Sequence, residues 1–109
     1  MTEQLVEKTY QDLKQECAPI SYKEIEHFFA RGMLILVAED LDIIDVALMI
    51  QADDTQQLNK WISQEQVIRV HDDYAIKWSK KETILMAVTA VPWLLVQEKC
   101  LEDNPKKDN

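Results

Sequence analysis

Glycine occurs once in this chain, at Gly32, inside the run Phe28-Phe29-Ala30-Arg31-Gly32-Met33-Leu34-Ile35-Leu36-Val37. Glycine costs backbone entropy, so a chain that uses it once places it where φ must be positive or two backbones must meet. An amphipathic stretch ends just before it and an unbroken apolar run begins just after. Gly32 therefore reads as the C′ residue of a helix, left-handed in φ, turning the chain into a short strand over 33–37 that is buried on both faces. The same scarcity excludes chemistry. A P-loop and the dinucleotide-binding fingerprint each need several glycines.

The flanking elements follow from spacing. Leu5, Thr9, Leu13 and Cys17 recur every four positions, with Val6 and Tyr10 beside them, which predicts a helix over 3–16 closed by Pro19. Ser21-Tyr22-Lys23-Glu24 has capping-box spacing, and Ile20 and Ile25 stand where a hydrophobic staple sits, so a second helix is expected over 22–30. Asp40 or Asp42 caps a helix over 43–52 that is apolar almost all round. Asp53 with Gln56, or Asp54 with Gln57, opens another over 55–63, facing inward with Leu58, Trp61 and Ile62. Residues 67–70 read as a strand, and Asp72 or Asp73 caps a helix over 73–80 with Tyr74, Ala75 and Trp78 inward. Residues 83–97 are strand-like, bent or split at Pro92, with a helix ending near Val91 as the competing reading. Together these predict an α+β fold: five helices, a small sheet from 33–37, 67–70 and 83–97, and a helix-turn-helix-like centre. The expected organisation is one domain over 1–100 and a disordered polar tail over 101–109.

A length of 109 residues and a hydrophobic content of 47% suffice for one core without staples. The net charge of −8 repels nucleic acid and anionic lipid and is compatible with a basic partner. Cys17 and Cys100 lack ligand-spaced companions and read as two reduced thiols. With an acidic, polar opening at Met1-Thr2-Glu3-Gln4 and an apolar stretch from Ile84 to Val96 too short to span a bilayer, a cytoplasmic protein is expected.

Four constellations offer chemistry. His27 and Arg31 lie one turn apart and could bind an anion, although an arginine at a helix C-terminus is also favourable by itself. Asp40, Asp42, Asp45, Asp53 and Asp54 could hold a hard cation, although capping explains all but Asp45, which either faces solvent or pairs with a base such as Arg31. The segment from Ile43 to Val70 resembles the start of a winged helix, yet its second helix carries one cation, Lys60. Trp61, Trp78 and Trp93 suit core packing better than a stacking platform; Trp93, after Pro92, would make a hot spot for a partner chain if exposed.

Phe29-Ala30-Arg31-Gly32, Leu41-Asp42-Ile43-Ile44-Asp45-Val46-Ala47, Asp53-Asp54, Trp61 and Pro92-Trp93-Leu94-Leu95-Val96-Gln97, in that order, resemble a small bacterial family known as domain of unknown function 2288. The resemblance spans about residues 5–97. It implies a bacterial protein with no established activity, substrate or cofactor, and it supplies no catalytic residues. The family pattern has a glycine after the helix bearing Trp61, where this chain has Gln64-Glu65-Gln66.

The leading expectation is a non-catalytic interaction module that self-associates or docks on a protein partner, with no membrane and no cofactor. The alternatives are a winged-helix-like nucleic-acid-binding regulator, for which the charge is unfavourable, and a small-molecule or metal-dependent enzyme built on His27, Arg31, Asp42, Asp45 and Asp54. Arg31, His27, Asp42, Asp45, Asp54 and Trp93 are the candidate functional residues.

Overall fold

In the computed structural model, which describes residues 8–98, the chain runs through α1 (Tyr10–Glu16), β1 (Ala18–Ser21), α2 (Tyr22–Ala30), β2 (Leu34–Val37) and α3 (Ile43–Gln51). It continues through α4 (Thr55–Ser63), β3 (Val67–Arg69), α5 (Asp72–Lys81), β4 (Ile84–Ala90) and β5 (Trp93–Gln97). The strands form a five-stranded sheet in the order β1-β4-β5-β2-β3. β2 and β5 pair in parallel at its centre, and every other neighbouring pair is antiparallel. The fold is α+β.

Strand alternation divides the interior into two cores. Leu34, Leu36, Leu85, Ala87, Leu94 and Val96 point to one face, where α2 and α5 cover them with Tyr22, Ile25, Ala75 and the fully buried Trp78. Val37, Val88, Ala90 and Leu95 point to the other, beneath Leu13 of α1 and Ile43, Ile44, Val46 and Ala47 of α3. Central strands buried on both faces must be apolar at every position. That explains the unbroken run after Gly32. No helix among the described residues is long and apolar enough to cross a membrane.

Gly32 occupies the expected place. Its φ is +73°, its N–H donates to the Phe29 carbonyl at 2.9 Å, and the Met33 N–H donates to the Phe28 carbonyl at 2.9 Å. This is a Schellman C-terminus, which satisfies carbonyls that the helix itself leaves bare. Three other helices end in the same way without glycine. Asp53, Glu65 and Glu82 take φ of 57°, 61° and 53°, each with the paired return bonds at its helix end. Glu65 thus closes α4 in the turn Gln64-Glu65-Gln66 without a glycine.

Several expectations are corrected. The helix predicted over 3–16 starts at Tyr10, because Thr9 is extended and caps it, with Thr9 and Asp12 bonding each other's backbone N–H reciprocally. Its residues 3–7, like Cys100 and the tail 101–109, lie outside the described residues. Pro19 does not merely close α1; it sits in β1, an edge strand that spacing alone did not reveal and that tolerates a residue lacking an N–H. Ser21 belongs to that strand, so its hydroxyl reaches Glu24 (3.5 Å) rather than forming the expected capping box. Asp53 terminates α3 instead of capping α4, which Asp54 does through the Gln57 N–H at 3.1 Å. His71, not Asp72 or Asp73, stands at the N-cap of α5. One expectation stands unchanged: the segment 83–97 forms strands, split at Pro92 into β4 and β5, with the Val91–Pro92 bond cis.

Candidate functional site

Two surface hollows lie on the α3 face of the sheet, at opposite ends of the parallel strands. The first surrounds Trp93, the opening residue of β5. Alternation with Leu94 turns its ring toward the α3 face, where the last turn of α3 and the body of α4 leave β2 and β3 partly uncovered. The result is a cleft of about 440 Å³ walled by Ile35, Ile50, Leu58, Ile62, Val67 and Trp93. Ile62, expected to face the core, is 51% exposed. Arg69 closes one side. Its guanidinium lies over the Trp93 ring, 5.5 Å from the centroid, and makes no ion pair among the described residues. Such a stack attracts a cation to an aromatic face and holds Arg69 along the sheet.

The second hollow, about 430 Å³, opens beside the N-terminus of α3, past the carboxyl ends of β2 and β5. Gln97, the last residue of β5, is 2% exposed and donates both amide hydrogens, to the carbonyls of Ala38 (2.8 Å) and Leu41 (2.7 Å). It thereby fixes the connection that leads into α3. Asp42 caps the helix through the Ile44 N–H at 2.9 Å, and its other oxygen accepts the hydroxyl of Tyr10. That hydrogen bond, with partial burial and the charges of Asp42 and Asp45, pushes the Tyr10 phenol up to about 12. Burial first, and then the charge of Asp42, raise both the Asp45 carboxyl and the Cys17 thiol above their ordinary values. A raised thiol pKa is the reverse of nucleophile activation, because the thiolate is the reactive form. Among the described residues, no three His, Cys, Asp or Glu side chains converge to hold a metal ion.

The six candidate residues are distributed over both faces. Asp42 lines the second hollow with Tyr10, and Asp45, three residues further along α3, is near enough for its charge to act on the Tyr10 phenol and to feel that of Asp42. Asp54 lies past the other end of α3, occupied as a cap. Arg31 is the exposed C-cap of α2, and His27, one turn back, stacks on Phe28 with centroids 4.5 Å apart. Because α2 covers the opposite face of the sheet from α3, Arg31 and Asp45 do not pair. His27, Arg31, Asp42, Asp45 and Asp54 form no common cleft. The cations that a nucleic-acid surface would need are also divided: Lys60 is on α4, Arg69 is on Trp93, and Lys77 of α5, on the other face, pairs with Glu98 at 3.1 Å. Trp93 alone among the six walls an apolar hollow. Its signal in the sequence was the Pro-Trp step, whereas no spacing marked Arg69 as its partner or Gln97 as the tie to the connection before α3.

The chain is similar to PA1075 from Pseudomonas aeruginosa, whose NMR solution structure superposes with a TM-score of 0.75 at 32% identity, covering 95% of this chain and 99% of that one. A comparison with curated proteins gave no match. The model of a family described as protein of unknown function, DUF2288, matches residues 8–98. The chain belongs to the DUF2288 family.

Proposed function

We propose that this protein is a non-catalytic interaction module that self-associates through the surface around Trp93. One observation carries the reading: an apolar groove of about 440 Å³, with Trp93 and Arg69 on its walls, on a chain whose net charge is −8. Apolar surface left in water forfeits roughly 25 cal/mol per Å², and contiguous patches of it mark contact sites. Tryptophan and arginine are the residue types that most often dominate interface energetics. The second hollow supports the non-catalytic part, since its thiol and phenol are held in their protonated forms rather than activated.

A second copy of the chain is the favoured occupant because the groove adjoins β3, an edge strand. Binding of an unlike protein partner is the competing outcome. Nucleic acid is disfavoured by the acidic charge and the divided cations. An enzyme is disfavoured by the dispersal of its candidate residues. A bacterial cytoplasmic setting fits the reading. Sedimentation velocity over a micromolar concentration series, with wild type and Trp93→Ala in parallel, tests it. Concentration-dependent dimerisation that weakens in Trp93→Ala is expected. A protein that stays monomeric at every concentration, with the variant indistinguishable, would sink the proposal.

A further inference from the structure

Resting on that self-association, we infer that two copies join by antiparallel pairing of β3 with itself about a two-fold axis at Ile68, fusing their sheets into one. β3 pairs with β2 on one side only. On that side the Val70 N–H donates to the Leu34 carbonyl at 2.9 Å, and the Gln66 carbonyl accepts from the Ala38 N–H at 2.8 Å. With Leu36 opposite Ile68, the ladder bonds therefore belong to Gln66, Ile68 and Val70. Val67 and Arg69 turn their N–H and C=O groups outward.

This parity suits self-pairing. An antiparallel two-fold centred on Ile68 sets Val67 opposite Arg69 of the second copy, and Arg69 opposite its Val67. Those are the residues with free backbone groups, so each pair exchanges both its bonds. The two Ile68 side chains meet in the close, non-bonded position, where apolar pairs stabilise most. A one-residue shift would set each residue with free backbone groups opposite one already bonded to β2 and lose the ladder.

Charge agrees with the direction. β3 is preceded by the acidic Glu65 and ends in Arg69. In this register Glu65 of one copy lies diagonal to Arg69 of the other, so the two opposite charges approach across the seam. The groove flanks this seam, since Val67 and Arg69 line it. The two sheet edges differ in protection. β1 carries Pro19, a residue that blunts edge pairing, whereas β3 has no proline and its one charged side chain is drawn over Trp93.

Amide hydrogen exchange by NMR on the full chain, at dilute monomeric and at concentrated protein, tests the register. The amides of Val67 and Arg69 should slow about tenfold or more on concentration, with Ile68 and Val70 little changed. Arg69→Pro, which removes an outward N–H and none of the ladder bonds to β2, should abolish the dimer while keeping the far-ultraviolet circular dichroism. A dimer in which Val67 and Arg69 exchange as fast as in dilute protein would overturn this pairing and leave self-association standing through another surface. A chain that remains monomeric throughout would overturn both. If Arg69→Pro fails to fold, the exchange comparison on the wild type decides alone.

Discussion

Tyr10 of α1 donates its hydroxyl hydrogen bond to Asp42, the residue that caps α3. One carboxylate thus ties two helices together: one oxygen holds a helix-end N–H and the other an incoming phenol. The bond requires the phenol to keep its proton.

The stability of the protein should therefore show a tyrosine-dependent step at high pH. The folded Tyr10 phenol is pushed up to about 12 from its ordinary 10.0. A pKa raised on folding means that the protonated form is favoured in the native state, so the stabilisation is complete below pH 10 and is lost as pH rises through 12. Urea midpoints measured between pH 9 and 12 should decline more steeply for wild type than for Tyr10→Phe. Parallel curves would show that the phenol gains nothing from Asp42.

The acidic residues held at positive φ should be improvable. Left-handed backbone costs an L-residue about 1 kcal/mol or more, partly offset in a glycine variant by its looser unfolded chain. Glu65→Gly and Glu82→Gly should each raise stability by about 0.5–1 kcal/mol, read as a shift of the urea midpoint at constant m-value. Gly32→Ala, at φ +73° with open space where a Cβ would stand, should lower it by about 1 kcal/mol. The strain there comes from the backbone, since no neighbour obstructs the added atom.

Gln97 should be far less replaceable than a glutamine at a strand end ordinarily is. Gln97→Leu leaves two carbonyls, of Ala38 and Leu41, without their donor. An orphaned acceptor costs about 1–3 kcal/mol when fully buried; Ala38 and Leu41 are half-buried, so a combined loss of about 2–4 kcal/mol, below the full-burial sum, is expected in chemical denaturation. A cost below 0.5 kcal/mol would mean that water replaces the amide freely.

Cys17 should react sluggishly. Burial, with the charge of Asp42 second, raises its thiol, which reduces the thiolate present at a given pH. In a Cys100→Ser background, iodoacetamide at pH 8 should label native Cys17 several-fold more slowly than the urea-unfolded chain. Asp42→Asn keeps a capping side chain and removes the negative charge, so it should speed labelling.

The sequence by itself determined the local elements. α2 and α4 span the residues that spacing marked, Asp54 caps α4, Gly32 takes the positive φ that its rarity implied, and the unbroken apolar run after it is a strand buried on both faces. These features depend on residues a few positions apart, whose preferences act before any tertiary contact forms. What brings distant segments together was decided only by the fold. β1 was hidden because its pairing partner, β4, is remote in sequence and its proline looked like a helix terminator. Arg69 reaches Trp93 because antiparallel β3 and parallel β5 flank β2, so that alternation turns both side chains to one face. Tyr10 meets Asp42 because α1 packs against α3, while Arg31 and Asp45 are separated by the sheet itself. Strand order and register are global quantities, set by which faces bury together, and a linear spacing rule carries no record of them.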